Sequence, residues 1–171
     1  MELLIGCGND WKKKVSFPQV PAEWCELVTM DWDEACKPHV VHDLTKLPWP
    51  FQDDTFDEVH GYEVLEHLGQ QGDYRSFFEQ FTEIWRVLKP GGYLVATVPL
   101  WDSMWAWGDP GHRRIINEGS LVFLSQKEYQ KQVGKTAMAD YRFCYEADFD
   151  IIATMEKGDT FGFVLKAIKG E

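Results

Sequence analysis

The chain has 171 residues, 44% of them apolar, enough for one domain with a core of its own. Its formal net charge of −11 repels phosphate backbones and argues against tight unassisted binding of nucleic acid. No apolar run approaches the length that spans a bilayer, and Met1 to Gly6 has neither a basic n-region nor a small-residue cleavage site, so a cytoplasmic protein away from membranes is expected.

Leu3-Leu4-Ile5 reads as a short buried strand that ends on the glycine turn Gly6-Cys7-Gly8-Asn9-Asp10. Lys12-Lys13-Lys14 reads as a solvated face, as short charge runs usually are. Pro18 and Pro21 make the first crossover short or irregular rather than a long helix. Glu26 to Met30 is a second strand with Asp31 at its end, and Val40-Val41 a third that closes at His42-Asp43-Leu44. After the turn-rich stretch from Pro48 to Asp54, Phe56 to His60 is a fourth strand. From about Asp73 to Leu88, Tyr74, Phe77, Phe78, Phe81, Ile84, Trp85 and Leu88 recur at helical spacing, with Asp73 as N-cap and Lys89-Pro90-Gly91-Gly92 as stop. Tyr93 to Val98 is a fifth strand. Phe149 to Met155 and Thr160 to Ile168, joined through Lys157-Gly158-Asp159, can form only an antiparallel hairpin. This order predicts a mostly parallel sheet with helices on both faces and an antiparallel end. Cys7, Cys25, Cys36 and Cys144 show no CxxC spacing and are expected as free thiols in a reducing compartment; no cysteine–histidine set is spaced for zinc, and no metal is expected.

Three places carry chemistry. Glycines after strand one let the backbone approach a ligand, although tight turns also use glycine for geometry alone. A dinucleotide site wants a third glycine beside the pyrophosphate, and that position is Trp11; no P-loop occurs either, which suits a nucleoside ligand without phosphate. Asp31 is placed to accept from ribose hydroxyls, or is a loop aspartate beside Asp33 and Glu34. Asp43 can accept from an adenine amino group, with the next backbone N–H donating to the ring, or can cap the following turn. All three stand at the carboxyl ends of successive strands, where open α/β sheets bind ligands.

Leu3 to Gly8, Asp31, His42-Asp43-Leu44, Leu47-Pro48 with Phe51, Asp54-Thr55-Phe56-Asp57, Glu63-Val64-Leu65-Glu66-His67-Leu68 and Arg86-Val87-Leu88-Lys89-Pro90-Gly91-Gly92 resemble, in order, the motifs of class I methyltransferases, most closely the type 11 group. The resemblance covers roughly residues 3 to 99. It implies a Rossmann-like, seven-stranded sheet and S-adenosylmethionine as cofactor, with S-adenosylhomocysteine as product. It places Gly6, Cys7 and Gly8 at the methionine end, Asp31 with the adjoining Trp32 at the ribose, Asp43 and Leu44 at adenine, and Gly61, Tyr62 and Glu63 by the sulfonium. One domain over 1–171 is expected: a cofactor-binding half (1–100), a substrate-cover segment (101–148) and a C-terminal hairpin (149–171).

Methyl transfer from a sulfonium needs orientation and water exclusion, and a base only for a hydroxyl or protonated amine. The loop after strand five offers His112 as base, with Asp109 and Asp102 to orient it or bind substrate, and Trp101, Trp105 and Trp107 as substrate wall; alternatively the tryptophans pack the loop down and His112 is structural. Glu66 and His67 are expected to be structural, with Glu66 within possible reach of the cofactor region. Phe123, Tyr129, Tyr141, Phe143 and Tyr145 fit a substrate cover or a homodimer face. The acceptor is expected to be a small molecule, or else a protein side chain. Leu4 and Asp10 depart from the family pattern and motivate a second reading, a non-catalytic module that serves as a cofactor-binding or partner subunit. A nicotinamide oxidoreductase is opposed by Trp11, and nucleic-acid methylation by the charge and by the lack of an Asn/Asp-Pro-Pro-Tyr/Phe tetrapeptide.

Overall fold

The computed structural model describes residues 1–18 and 20–170. Seven strands form one sheet: β1 (Glu2–Ile5), β2 (Leu27–Asp31), β3 (Val40–Val41), β4 (Phe56–Tyr62), β5 (Leu88–Pro99), β6 (Phe149–Lys157) and β7 (Thr160–Ala167). Their order across the sheet is β3-β2-β1-β4-β5-β7-β6. β1 to β5 run parallel, and β7 lies antiparallel between β5 and β6. The chain therefore builds outward from β1 in one direction, then returns to lay β4 on its other side. Gly61 pairs with Ile5 across that reversal, and the gap above it is where open sheets of this kind take ligands.

Alternation along each strand separates the two faces. Leu3 and Ile5, Val59, Leu94 and Ala96, and Phe163 and Leu165 enter one cluster under α1 (Tyr74–Val87), together with Leu121 of α3 (Glu118–Val122) and Tyr129 of α4 (Gln126–Gln132). The stripe on α1 that packs there is Phe77, Phe78, Phe81, Ile84 and Val87. Asp73 caps α1 by accepting from the Ser76 N–H at 3.2 Å. Leu4, Tyr62, Val95 and Val164 face the other way, and Cys7, Val15 and Val20 cover them with help from Trp11, Phe17 and Trp24. Among the described residues no helix contributes to that second cluster, so the expectation of helices on both faces is corrected: the described helices cover one face, and the irregular stretch after β1 covers the other. The prolines at 18 and 21 are the physical reason, since they break any helical register across it.

That stretch also buries a charge. Lys13 was read as solvated, yet its side chain is only 2% exposed, with Nζ 3.1 Å from Glu2 Oε1 and 2.7 Å from Glu58 Oε2. Glu58 Oε2 also meets His60 Nε2 at 2.7 Å, and His60 Nδ1 meets the Tyr62 hydroxyl at 2.7 Å. Burial keeps the His60 imidazole below its ordinary pKa despite its carboxylate neighbour. A neutral ring donates from Nε2 to the carboxylate and accepts at Nδ1 from Tyr62, whose hydroxyl burial pushes up to about 12. Burial also raises the Glu58 carboxyl, but the bonds from His60 and Lys13 outweigh it and hold the group low. Glu2 Oε2 accepts from the Cys25 and Glu26 N–H groups and so ties the crossover to the head of β1. No helix among the described residues is long and apolar enough to cross a membrane.

Candidate active site

The turn after β1 is shaped by its glycines. Gly6 has φ 57°, and a Cβ there would stand 2.3 Å from Val64 Cγ2, so no other residue fits without moving the turn after β4. Gly8 has φ 49°, with open space where a side chain would point. Together with Cys7, Asn9, Asp10, Lys14, Leu4 and Tyr62 they line a cleft of about 180 Å³ at the sheet reversal. Gly6→Ala should cost roughly 1–3 kcal/mol through the left-handed φ and the clash, read as a lower urea midpoint. A stability loss below about 0.5 kcal/mol, roughly a twofold change in the equilibrium, would show that the turn yields freely.

Asp31 is 6% exposed at the end of β2. Its Oδ2 accepts from the Gly8 N–H at 2.9 Å and its Oδ1 from the Asp33 N–H at 2.9 Å. A carboxylate offers about four acceptor positions, so two stay available to a diol after these bonds. Trp32 beside it is 75% exposed. The open space at Gly8, the buried acceptor at Asp31 and the absence of a third glycine suit a phosphate-free adenosyl group. Asp43 takes the turn-capping role: Oδ1 accepts from the Thr45 N–H and hydroxyl at 2.9 and 2.8 Å, which holds its carboxyl low. Leu44 is buried, and its carbonyl accepts from Trp49 Nε1 and Gln80 Nε2. Gly61 is buried against Val64 and Ile5. Tyr62 lines the cleft while its hydroxyl serves the buried network. Glu63 is exposed with φ 54°, its N–H held by the Thr97 carbonyl.

The loop after β5 carries the second set. α2 (Met104–Gly108) starts at Ser103, whose hydroxyl accepts from the Ala106 N–H. The packed-down arrangement weighed for the tryptophans is not what is seen: Trp101, Trp105 and Trp107 are 52%, 56% and 70% exposed. His112 is largely buried, but its Nε2 lies 3.8 Å from Asp109 Oδ2, too far for a hydrogen bond; Asp109 Oδ1 instead accepts from the Gly111 N–H. Asp102 is exposed. Of the aromatic segment, Tyr129 and Tyr145 are wholly buried core, so they form neither cover nor dimer face. Phe123 and Tyr141 meet Phe77, Phe78 and Arg114 around a hollow of about 250 Å³ beside α1, away from the glycine turn.

The residue that sequence reasoning undervalued is Glu66. It sits in a 3-10 turn (Leu65–His67) after β4, is 2% exposed, and neither carboxylate oxygen has a hydrogen-bond partner among the described residues. Burial, with the charges of Glu63 and Asp109 adding to it, pushes its carboxyl up to about 8. A structural role would give those oxygens donors, and none is present. The signal available in sequence was an acid followed by histidine directly after the Gly61 turn.

A family model described as a methyltransferase domain matches residues 3–96, 94 of the 171 residues. Sterol 24-C-methyltransferase of Eremothecium gossypii is 30% identical over 109 residues, which are 64% of this chain and 26% of that protein, so the chain spans about a quarter of that relative. Among solved structures, a chain from the complex of the Haloferax volcanii Trm112 methyltransferase activator superposes with TM-score 0.61 at 14% identity, over 98% of this chain and 82% of that one. The N-methyltransferase NodS of Bradyrhizobium japonicum, in complex with S-adenosylhomocysteine, gives TM-score 0.55 at 14% identity, over 98% and 78%.

Proposed function

Because the chain belongs to the methyltransferase domain family of the class I type 11 group, we propose that it transfers a methyl group from S-adenosylmethionine to a small-molecule acceptor. The observation that carries this reading is the joint placement of the open Gly8 turn and the buried Asp31 carboxylate at the sheet reversal. The bound cofactor would supply a methyl on a sulfonium, already activated for in-line displacement. Gly6, Cys7 and Gly8 would hold its amino-acid end, Asp31 with the adjoining Trp32 its ribose, Asp43 and Leu44 its adenine, and Gly61, Tyr62 and Glu63 the reacting end. The chain's own work is orientation and water exclusion. Trp101, Trp105 and Trp107, left exposed on the loop above the strand ends, are suited to stack on an acceptor and dry the approach. His112, with Asp109 near it, acts on the acceptor side. A small-molecule acceptor is favoured by the sterol methyltransferase among the relatives. The 1–100 half then binds cofactor, and 101–148 builds the acceptor side.

Asp31→Ala should weaken S-adenosylmethionine binding by about 1–3 kcal/mol, roughly five- to 150-fold, measured by titration calorimetry. Thermal unfolding of the same variant checks that the glycine turn survives the loss of its Gly8 bond. A folded variant with unchanged affinity would refute the ribose role.

A further inference from the structure

We propose that Glu66, His67 and His112 form a three-ligand site for a divalent transition-metal ion of the zinc or cobalt class. One oxygen of Glu66 and one nitrogen of each histidine lie within 4.8 Å of one another. Glu66 Oε1 is 3.9 Å from His67 Nε2 and 3.8 Å from His112 Nε2, and the two rings meet edge to face at 4.7 Å. Oxygen and nitrogen ligands at about 2.1 Å around a tetrahedral ion stand roughly 3.4 Å apart, so the two pairs to Glu66 Oε1 close by about half an ångström each, and the histidine pair, which lies within 4.8 Å, closes by side-chain rotation of up to about 1.4 Å.

Three features point to a cation rather than to a chance cluster. First, both oxygens of Glu66 are buried without a donor, the arrangement that folding avoids unless something completes it. Second, His67 Nδ1 faces the Gly111 carbonyl at 3.1 Å, which fixes a proton there and leaves the Nε2 lone pair turned toward Glu66. A ring N–H held by a backbone carbonyl is the usual support of a metal-ligating histidine. Third, Asp109 Oδ2 is 3.8 Å from His112 Nε2 and adds a negative charge at the rim. His67 is the exposed member and gives an ion a way in, while Val98, Pro99, Ala106, Ile115 and Arg114 close over Glu66 and His112, the Arg114 guanidinium being held by the Leu68, Gln70 and Asp73 carbonyls and the Ser76 hydroxyl.

Three protein ligands leave an open coordination position, the arrangement that distinguishes metal sites that meet a substrate from structural ones. Glu66 follows β4 and His112 follows β5, so the ion would stand at the carboxyl ends of β4, which borders the sheet reversal, and of its neighbour β5. With the ion bound, His112 Nε2 gives its lone pair to the metal, and its effect on acceptor chemistry passes through the metal. That last step rests on the methyltransferase reading; the metal site itself does not.

The test is titration of the chelator-treated full chain with Co²⁺, followed by calorimetry and by visible absorption, with no adenosyl ligand present. The expected result is saturable one-to-one binding with a visible ligand-field band and no intense near-ultraviolet thiolate band. His67→Ala and His112→Ala should each weaken it tenfold or more, and Glu66→Gln likewise, while S-adenosylmethionine affinity of the surface variant His67→Ala is unchanged. Absence of saturable binding, a thiolate band from Cys25, Cys36 or Cys144, or retention of binding in the His67→Ala/His112→Ala double variant overturns the proposal. Since Co²⁺ binding and cofactor binding are measured separately, failure of one is distinguishable from failure of the other.

Discussion

Lys13→Met is expected to destabilise the protein by about 3–5 kcal/mol, the cost of leaving buried carboxylates without their cation. Lys13 Nζ is the cation shared by Glu2 and Glu58, whose side chains are 4% and 7% exposed. Burial holds the His60 imidazole below its ordinary pKa, so Lys13 is the cation of this set at pH 7. The effect should appear as a lower urea midpoint at pH 7. Most of the loss should return when Glu2→Gln and Glu58→Gln are added, since a neutral buried set carries no unpaired charge. A cost of about 1 kcal/mol or less, the range of exposed ion pairs, would mean that Lys13 is solvated and that the first crossover does not close over the sheet.

Glu66→Gln is the second large effect, and it depends on pH. The folded carboxyl is pushed up to about 8 from the usual 4.5. Between those values the native state keeps a proton that the unfolded chain has released, so native stability falls as pH rises. Each pH unit costs about 1.4 kcal/mol, so wild type should lose roughly 3–4 kcal/mol relative to Glu66→Gln between pH 5 and pH 8. Below the unfolded value both states are protonated and this difference vanishes. Paired urea melts in a chelator, at pH 5 and pH 8, measure it. Parallel behaviour of the two proteins across that range would show that Glu66 is hydrated or paired.

Much of the sheet was legible because local signals agreed with it. Val40-Val41 is β3 as read, Asp73 caps α1 as read, and the Lys157-Gly158-Asp159 turn makes the expected hairpin. The stop at Lys89-Pro90-Gly91-Gly92 was read correctly as the end of the helix but not as strand: β5 starts at Leu88, because Leu88 already pairs with Phe56 before the register shifts to Glu58 and Tyr93. α2, α3 and α4 span five to seven residues, too few to show a helical period. Lys13 looked like its neighbours Lys12 and Lys14, and only the partners on β1 and β4 make it different. The clue was Glu58, His60 and Tyr62 at alternate positions of a central strand, all turned to one face that must be covered. At the candidate site, Asp31 stands where an acid at the end of the second strand was expected, whereas Asp43 caps its turn through Oδ1 alone, which leaves Oδ2 for the proposed adenine contact. The meeting of Glu66, His67 and His112 was not legible, since it arises from the return of the loop after β5: the Arg113 and Arg114 N–H groups bond the Glu66 carbonyl at 2.8 and 3.1 Å and draw His112 in.

The most direct test of the account is titration calorimetry of the purified protein with S-adenosylmethionine, S-adenosylhomocysteine and NAD in parallel. Saturable binding of both adenosyl ligands, weakened by Asp31→Ala, with none for NAD, is the predicted result. Absence of binding by either adenosyl ligand would contradict it, and would favour a partner subunit that keeps the fold without the cofactor.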